Sequence, residues 1–138
     1  MRLPLLTAAL TLGLAGCGAG PVQTFVTFGG FIEHANKLLV VRFVEGGKEK
    51  LGTRQSVGLR PDGSCRLEFN LVPETPYRLQ YFVDDNANGK WDGPVGQGEH
   101  SWDRSVSLPR PLQNHDSLAV TVGHDTNHSE LPADFVAP

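Results

Sequence analysis

Apolar and polar residues alternate with a period of two over much of this chain, and no long stretch carries the 3.6-residue period of an amphipathic helix. The clearest case is Ser64–Leu71, where Cys65, Leu67, Phe69 and Leu71 fall on one face and polar side chains on the other. Seven strands are predicted: Thr24–Glu33, kinked at Gly29-Gly30; Lys37–Glu45; Thr53–Arg60; Ser64–Leu71; Tyr77–Val83; Ser101–Leu108; and Asp116–Val122. Leu38-Leu39-Val40-Val41 makes the second the most apolar and places it centrally. Gly46-Gly47, Pro61-Asp62-Gly63-Ser64, Pro73-Glu74-Thr75-Pro76 and Pro109-Arg110-Pro111 separate the runs with residues that preset or tolerate turn dihedrals. A long polar loop runs from Asp84 to about Glu99, and Gly123–Pro138 reads as a polar surface tail.

Seven short strands with frequent turns fit an all-β, antiparallel β-sandwich. Tyr77 follows a turn and stands two residues before the inward Leu79, the arrangement of a tyrosine corner, so the pattern resembles an immunoglobulin-like sandwich. The stretch from Pro61-Asp62-Gly63-Ser64 through Pro76-Tyr77-Arg78-Leu79 is also similar to transthyretin-like domains of the carboxypeptidase-regulatory type, over about residues 37–84. That resemblance implies an accessory domain without catalysis of its own.

The N-terminus changes the picture of where the domain resides. Arg2 precedes a short apolar run, Leu3–Leu14, well below the roughly 20 residues needed to span a bilayer and of signal-peptide length. The run closes on Leu14-Ala15-Gly16-Cys17, which resembles a bacterial lipobox. The resemblance implies cleavage before Cys17, a diacylglyceryl thioether on its sulfur and acylation of its amine, enough chains for stable anchoring. Gly18 in place of aspartate, by the same analogy, favours the outer membrane over the inner. The expected organisation is a signal peptide over 1–16, a lipidated tether over 17–23, a domain over 24–123 and a tail over 124–138. The mature chain has 122 residues with 11 basic and 15 acidic side chains. One domain of that size can bury a core, and no basic patch marks a nucleic-acid partner. Lipidation leaves Cys65 unpaired, and its place in an alternating strand points it into the core.

Candidate chemistry concentrates in Asp84-Asp85-Asn86-Ala87-Asn88-Gly89-Lys90-Trp91-Asp92. It resembles the calcium loop of EF-hand and dockerin type, D-x-[DN]-x-[DN]-G. The resemblance implies side-chain oxygens from Asp84, Asn86, Asn88 and Asp92, with a backbone carbonyl from Lys90. Val95 stands where the bidentate glutamate belongs, so Glu99 or Asp103 would have to fold back to supply a carboxylate. Asn-Gly is also the strongest short hairpin signal, and an Asx-capped turn uses the same residues without a metal.

Three functions follow as expectations. The leading one is a non-enzymatic binding or structural module of the cell envelope, membrane-tethered through Cys17, with calcium as its one expected cofactor and an envelope protein or glycan as partner. The second is a carbohydrate-binding module, which requires Trp91 to be exposed. The third is a small metalloenzyme using His124 and His128, which requires a third ligand beside them. The flanking Asn, Ser and Pro argue for a solvated tail instead, His34 and His115 are expected exposed, and Trp102 buried.

Overall fold

The computed structural model describes residues 20–93, 99–110 and 117–138. Cys17, Val95, Pro111, His115 and Asp116 lie outside the described residues. Among the described residues the chain is all-β, with eight strands in two sheets and no closed barrel. The strands are β1 (Val22–Gly29), β2 (Leu38–Glu45), β3 (Lys48–Glu49), β4 (Gln55–Gly58), β5 (Cys65–Leu71), β6 (Pro76–Asp84), β7 (Ser101–Ser107) and β8 (Ser117–Gly123). Each of the seven predicted runs contains a strand. The eighth, β3, is the two-residue return of a hairpin closed by Gly46 and Gly47, both at positive φ.

One sheet has the order β5-β1-β8, with β1 antiparallel to β5 and parallel to β8. The other runs β3-β2-β6-β7, with β4 beside β3 along the same edge of β2. Thr53 spans the gap between β3 and β4. Its hydroxyl accepts from the Phe43 N–H at 3.1 Å and donates to the Lys50 carbonyl at 2.7 Å, so the edge keeps its pairing through a bend.

The two sheets share one core. Val26, Phe28, Leu67 and Phe69 from the first meet Leu39, Val41, Phe43, Leu79 and Tyr81 from the second. Edge-to-face contacts tie them, Phe43–Phe69 at 4.9 Å and Phe28–Tyr81 at 5.2 Å between centroids. Cys65 sits in this core as expected, and burial pushes its thiol up to about 11, which keeps it unreactive. The Tyr77 hydroxyl accepts the Val72 N–H at 3.0 Å, five residues upstream, as a tyrosine corner does.

Two expectations fail here. The first strand ends at Gly29. Gly30, at φ 82°, turns the chain into a 3-10 turn at Ile32–His34 in place of the strand predicted to continue to Glu33. The C-terminal residues are also no loose tail. β2 is apolar on both faces and β6 adds Phe82 to the outer one, and Leu131 and Phe135 cover that face by packing with Val40, Phe82 and Trp91 in a second core. Phe135 is fully buried, with the Arg42 guanidinium 4.1 Å above its ring. The segment is pinned by backbone bonds from Trp91 N–H to the Phe135 carbonyl (3.1 Å) and from Ala137 N–H to the Gly89 carbonyl (2.6 Å). Burying those side chains contributes roughly 1.5–3 kcal/mol each, enough to hold a segment with little regular structure.

Candidate metal centre

The C-terminal ends of β1, β6 and β8 and the N-terminal end of β7 lie at the same end of the molecule, by register within each sheet and by the His34–His100 contact between the sheets. Each delivers polar chemistry there. The turn after β1 brings His34, the residue before β7 is His100, and β8 runs on into His124 and His128. Gly63 holds the His34 turn in place. Its carbonyl accepts the Phe31 N–H at 3.1 Å, and a Cβ on it would fall 2.3 Å from Phe31 and Ile32 backbone atoms.

The ring nitrogens of His34, His100 and His124 offer three ligand atoms within 4.8 Å of one another. His34 Nε2 and His100 Nδ1 are 2.9 Å apart. Asp85 Oδ1 stands 3.4 Å from His34 Nδ1; the tautomer with its proton on Nδ1 donates to that carboxylate and presents the Nε2 lone pair to His100. His128 stacks on His100 with ring centroids 4.1 Å apart. The indole of Trp102 closes the inner side edge-to-face against His100, His124 and His128. Its N–H donates to the Asp125 carbonyl at 2.9 Å and so anchors the segment that carries two of the histidines. Burial, with the neighbouring imidazoles second, holds His100 and His128 below the usual histidine range. Nε2 of His124 and of His128 are buried and have no hydrogen-bond partner among the described residues.

The Asp84–Asp92 loop adjoins this cluster through Asp85. Asp84 is buried, and its carboxylate accepts the N–H groups of Asn88 (3.2 Å) and Gly89 (2.7 Å). Asn86 Oδ1 accepts from Asn88 N–H and Asn88 Oδ1 from Lys90 N–H, while both Asn side-chain amides donate to Asp92. Ala87 and Gly89 take the positive-φ positions that wrap the loop. Glu99 does fold back onto it. Oε2 accepts the Asp92 N–H at 2.9 Å, and Oε1 is buried with no partner among the described residues. Burial first, and the Asp84 and Asp92 carboxylates after it, push Glu99 up to about 7. Asp103, the other carboxylate weighed for this role, instead pairs with Arg78 at 2.8 Å.

Several sequence expectations are corrected by this geometry. Trp91 is 7% exposed and belongs to the second core, so it offers no face for a sugar ring. His34 is 5% exposed, because the turn after Gly30 folds it inward. His124 and His128 lie on an anchored segment and not on a solvated tail, since Ser129 N–H donates to the Ser101 carbonyl at 2.8 Å. Trp102 is buried as expected, and Arg104, out of place on an apolar face, meets Asp125 at 3.0 Å. Two surface cavities of about 290 and 320 Å³ are lined around Arg42 and Glu49, and around Arg104 and Val120. Neither is lined by a histidine. No protein-family model, curated protein or solved structure matches the chain.

Proposed function

We propose that this chain is a lipid-anchored module of the cell envelope, without catalysis of its own, built on an immunoglobulin- or transthyretin-like sandwich and rigidified at one end by calcium. The observation that carries the reading is Glu99. An ionised Glu99 with a buried oxygen that has no partner among the described residues, facing Asp84 and Asp92, is a costly arrangement that either a proton or a cation relieves, and calcium does so without neutralising the side chain. The loop then has hard oxygen donors in Asp84, Asn86, Asn88, Asp92 and Glu99, with the Lys90 carbonyl as a sixth, the number a calcium ion requires. Calcium would replace the amide contacts that now neutralise Asp92 and would keep Glu99 ionised. The lipobox ending in Cys17 supports the anchor, and the tyrosine corner at Tyr77 supports the sandwich type. The partner belongs to the envelope, as a protein or a glycan. Burial of Trp91 removes the stacking surface on which the carbohydrate-module reading depended.

The test is a thermal melt of the full chain in detergent with EGTA and with calcium. A Kd of ~0.1 mM, as in extracellular modules, gives about 2.7 kcal/mol of stabilisation at ~10 mM calcium, several degrees in Tm. Asp84→Ala should abolish the shift. An unchanged melt in calcium would reduce Asp84–Asp92 to an Asx-capped turn.

A further inference from the structure

We propose that His34, His100 and His124 form a second metal site, separate from the calcium loop, that takes an imidazole-preferring divalent transition-metal ion with His128 beside its open position. Three ring nitrogens from three separate segments converge within 4.8 Å, with no carboxylate among the ligand atoms. Nitrogen ligands of this kind suit copper and zinc and discriminate against calcium and magnesium, which prefer oxygen. A metal–nitrogen bond of about 2.0–2.1 Å puts adjacent ligand nitrogens about 2.9 Å apart in a square arrangement and about 3.3 Å apart in a tetrahedral one. His34 Nε2 and His100 Nδ1 already stand at 2.9 Å. His124 has only to close part of the remaining gap, and its Nε2 has no competing partner among the described residues.

The surroundings match what such a site needs. Asp85 on His34 Nδ1 leaves Nε2 as the ligating atom, the carboxylate–histidine–metal arrangement that orients a ring and raises its basicity. The proton now shared between His34 and His100 moves to His100 Nε2 when the ion enters, so both rings remain neutral ligands. Trp102 and Phe31 pack against the rings and shield the inner side from water. His128 lies on the remaining side, its Nε2 without a hydrogen-bond partner among the described residues, placed to act as a fourth ligand by rotation of its side chain.

The experiment titrates the full chain in detergent with ZnCl₂ and with CuCl₂, always in ~10 mM calcium so that the oxygen-rich loop is filled or indifferent. Binding is read by calorimetry, and Cu²⁺ broadening of the imidazole NMR signals identifies the ligands without mutation. We expect one equivalent of each ion, copper tighter than zinc in line with the general order of divalent affinities. The signals of His34, His100 and His124 should broaden first, with that of His128. His100→Ala should weaken binding at least about 100-fold and Asp85→Asn by about 10- to 100-fold, the range of second-shell losses. Asp84→Ala, which removes calcium binding, should leave zinc binding unchanged. Copper that leaves the signals of His34, His100 and His124 sharp at one equivalent, or zinc affinity that survives His100→Ala in a variant with a normal melt, would overturn the proposal. Either result would leave the cluster as a hydrogen-bonded and stacked packing of neutral rings.

Discussion

The two polar assemblies at this end of the molecule are built in opposite ways. The carboxylate loop takes five of its six named donors from nine consecutive residues, and only Glu99 arrives from further along. The imidazole cluster takes one ring each from the turn after β1, the start of β7 and the exit of β8, so its members are separated by up to 90 positions between His34 and His124. A local assembly depends on turn chemistry and survives distant damage. A non-local one inherits its geometry from the strand registers and fails when any supporting turn moves.

Mutations can separate the two. The largest expected effect is Gly63→Ala. Its φ of +73° and the 2.3 Å approach to the Phe31–Ile32 backbone leave no room for a methyl group. Chemical denaturation should show a loss of about 3 kcal/mol or more. Zinc affinity should fall with it as His34 shifts, while the calcium response of the folded fraction persists. Asp84→Ala acts the other way round. It strips the acceptor from two loop N–H groups, costs about 2 kcal/mol in the melt, and leaves the histidine NMR signals in place.

Titration sharpens the comparison further. Glu99 holds its proton more tightly in the folded chain, at about 7 against an ordinary 4.5. The stability of calcium-free protein should therefore fall as pH rises from about 4.5 to about 7, then level off. Glu99→Gln should flatten that profile, and a Tm series across this range in EGTA checks it. The smallest stability effect belongs to His128→Ala. The side chain is half-buried and makes no hydrogen bond among the described residues, so stability should change by less than about 1 kcal/mol. Zinc affinity should nevertheless drop by about tenfold.

The same contrast governs what was legible before the structure. Alternation in Ser64–Leu71 located a strand whose inward residues are the buried ones, alternation in Tyr77–Val83 located a strand that is buried on both faces from Leu79 onward, and the Asp84–Asp92 spacing marked a wrapped polar loop. Both signals are short-range. The inward turn of His34 was missed, although Gly29-Gly30 announced a break: a kink does not say where the following residues go. The convergence of the histidines was missed because β1 beside β8 in parallel brings His124 to His34, and only the packing of the second sheet on the first brings His100 to them, which no local pattern encodes. One hint was present. His34, His100 and His124 all flank predicted strand ends, and a topology placing those ends together would have gathered them. The docked C-terminus was misread because Leu131 and Phe135 are too sparse to give a period. Their partner surface was nonetheless visible in the unbroken apolar run of β2, since a strand apolar on both faces requires a second cover.

The parallel pairing of β1 with β8 also sets a timetable. The strand synthesised first is the middle strand of its sheet, and both neighbours come later, β8 near the end of the chain. Phe135, which seals the opposite face, is three residues from the C-terminus. Neither face can close until those later residues have been made, and long-range pairing of this kind forms slowly. The histidine cluster, which needs His124 beside His34, forms only after that pairing.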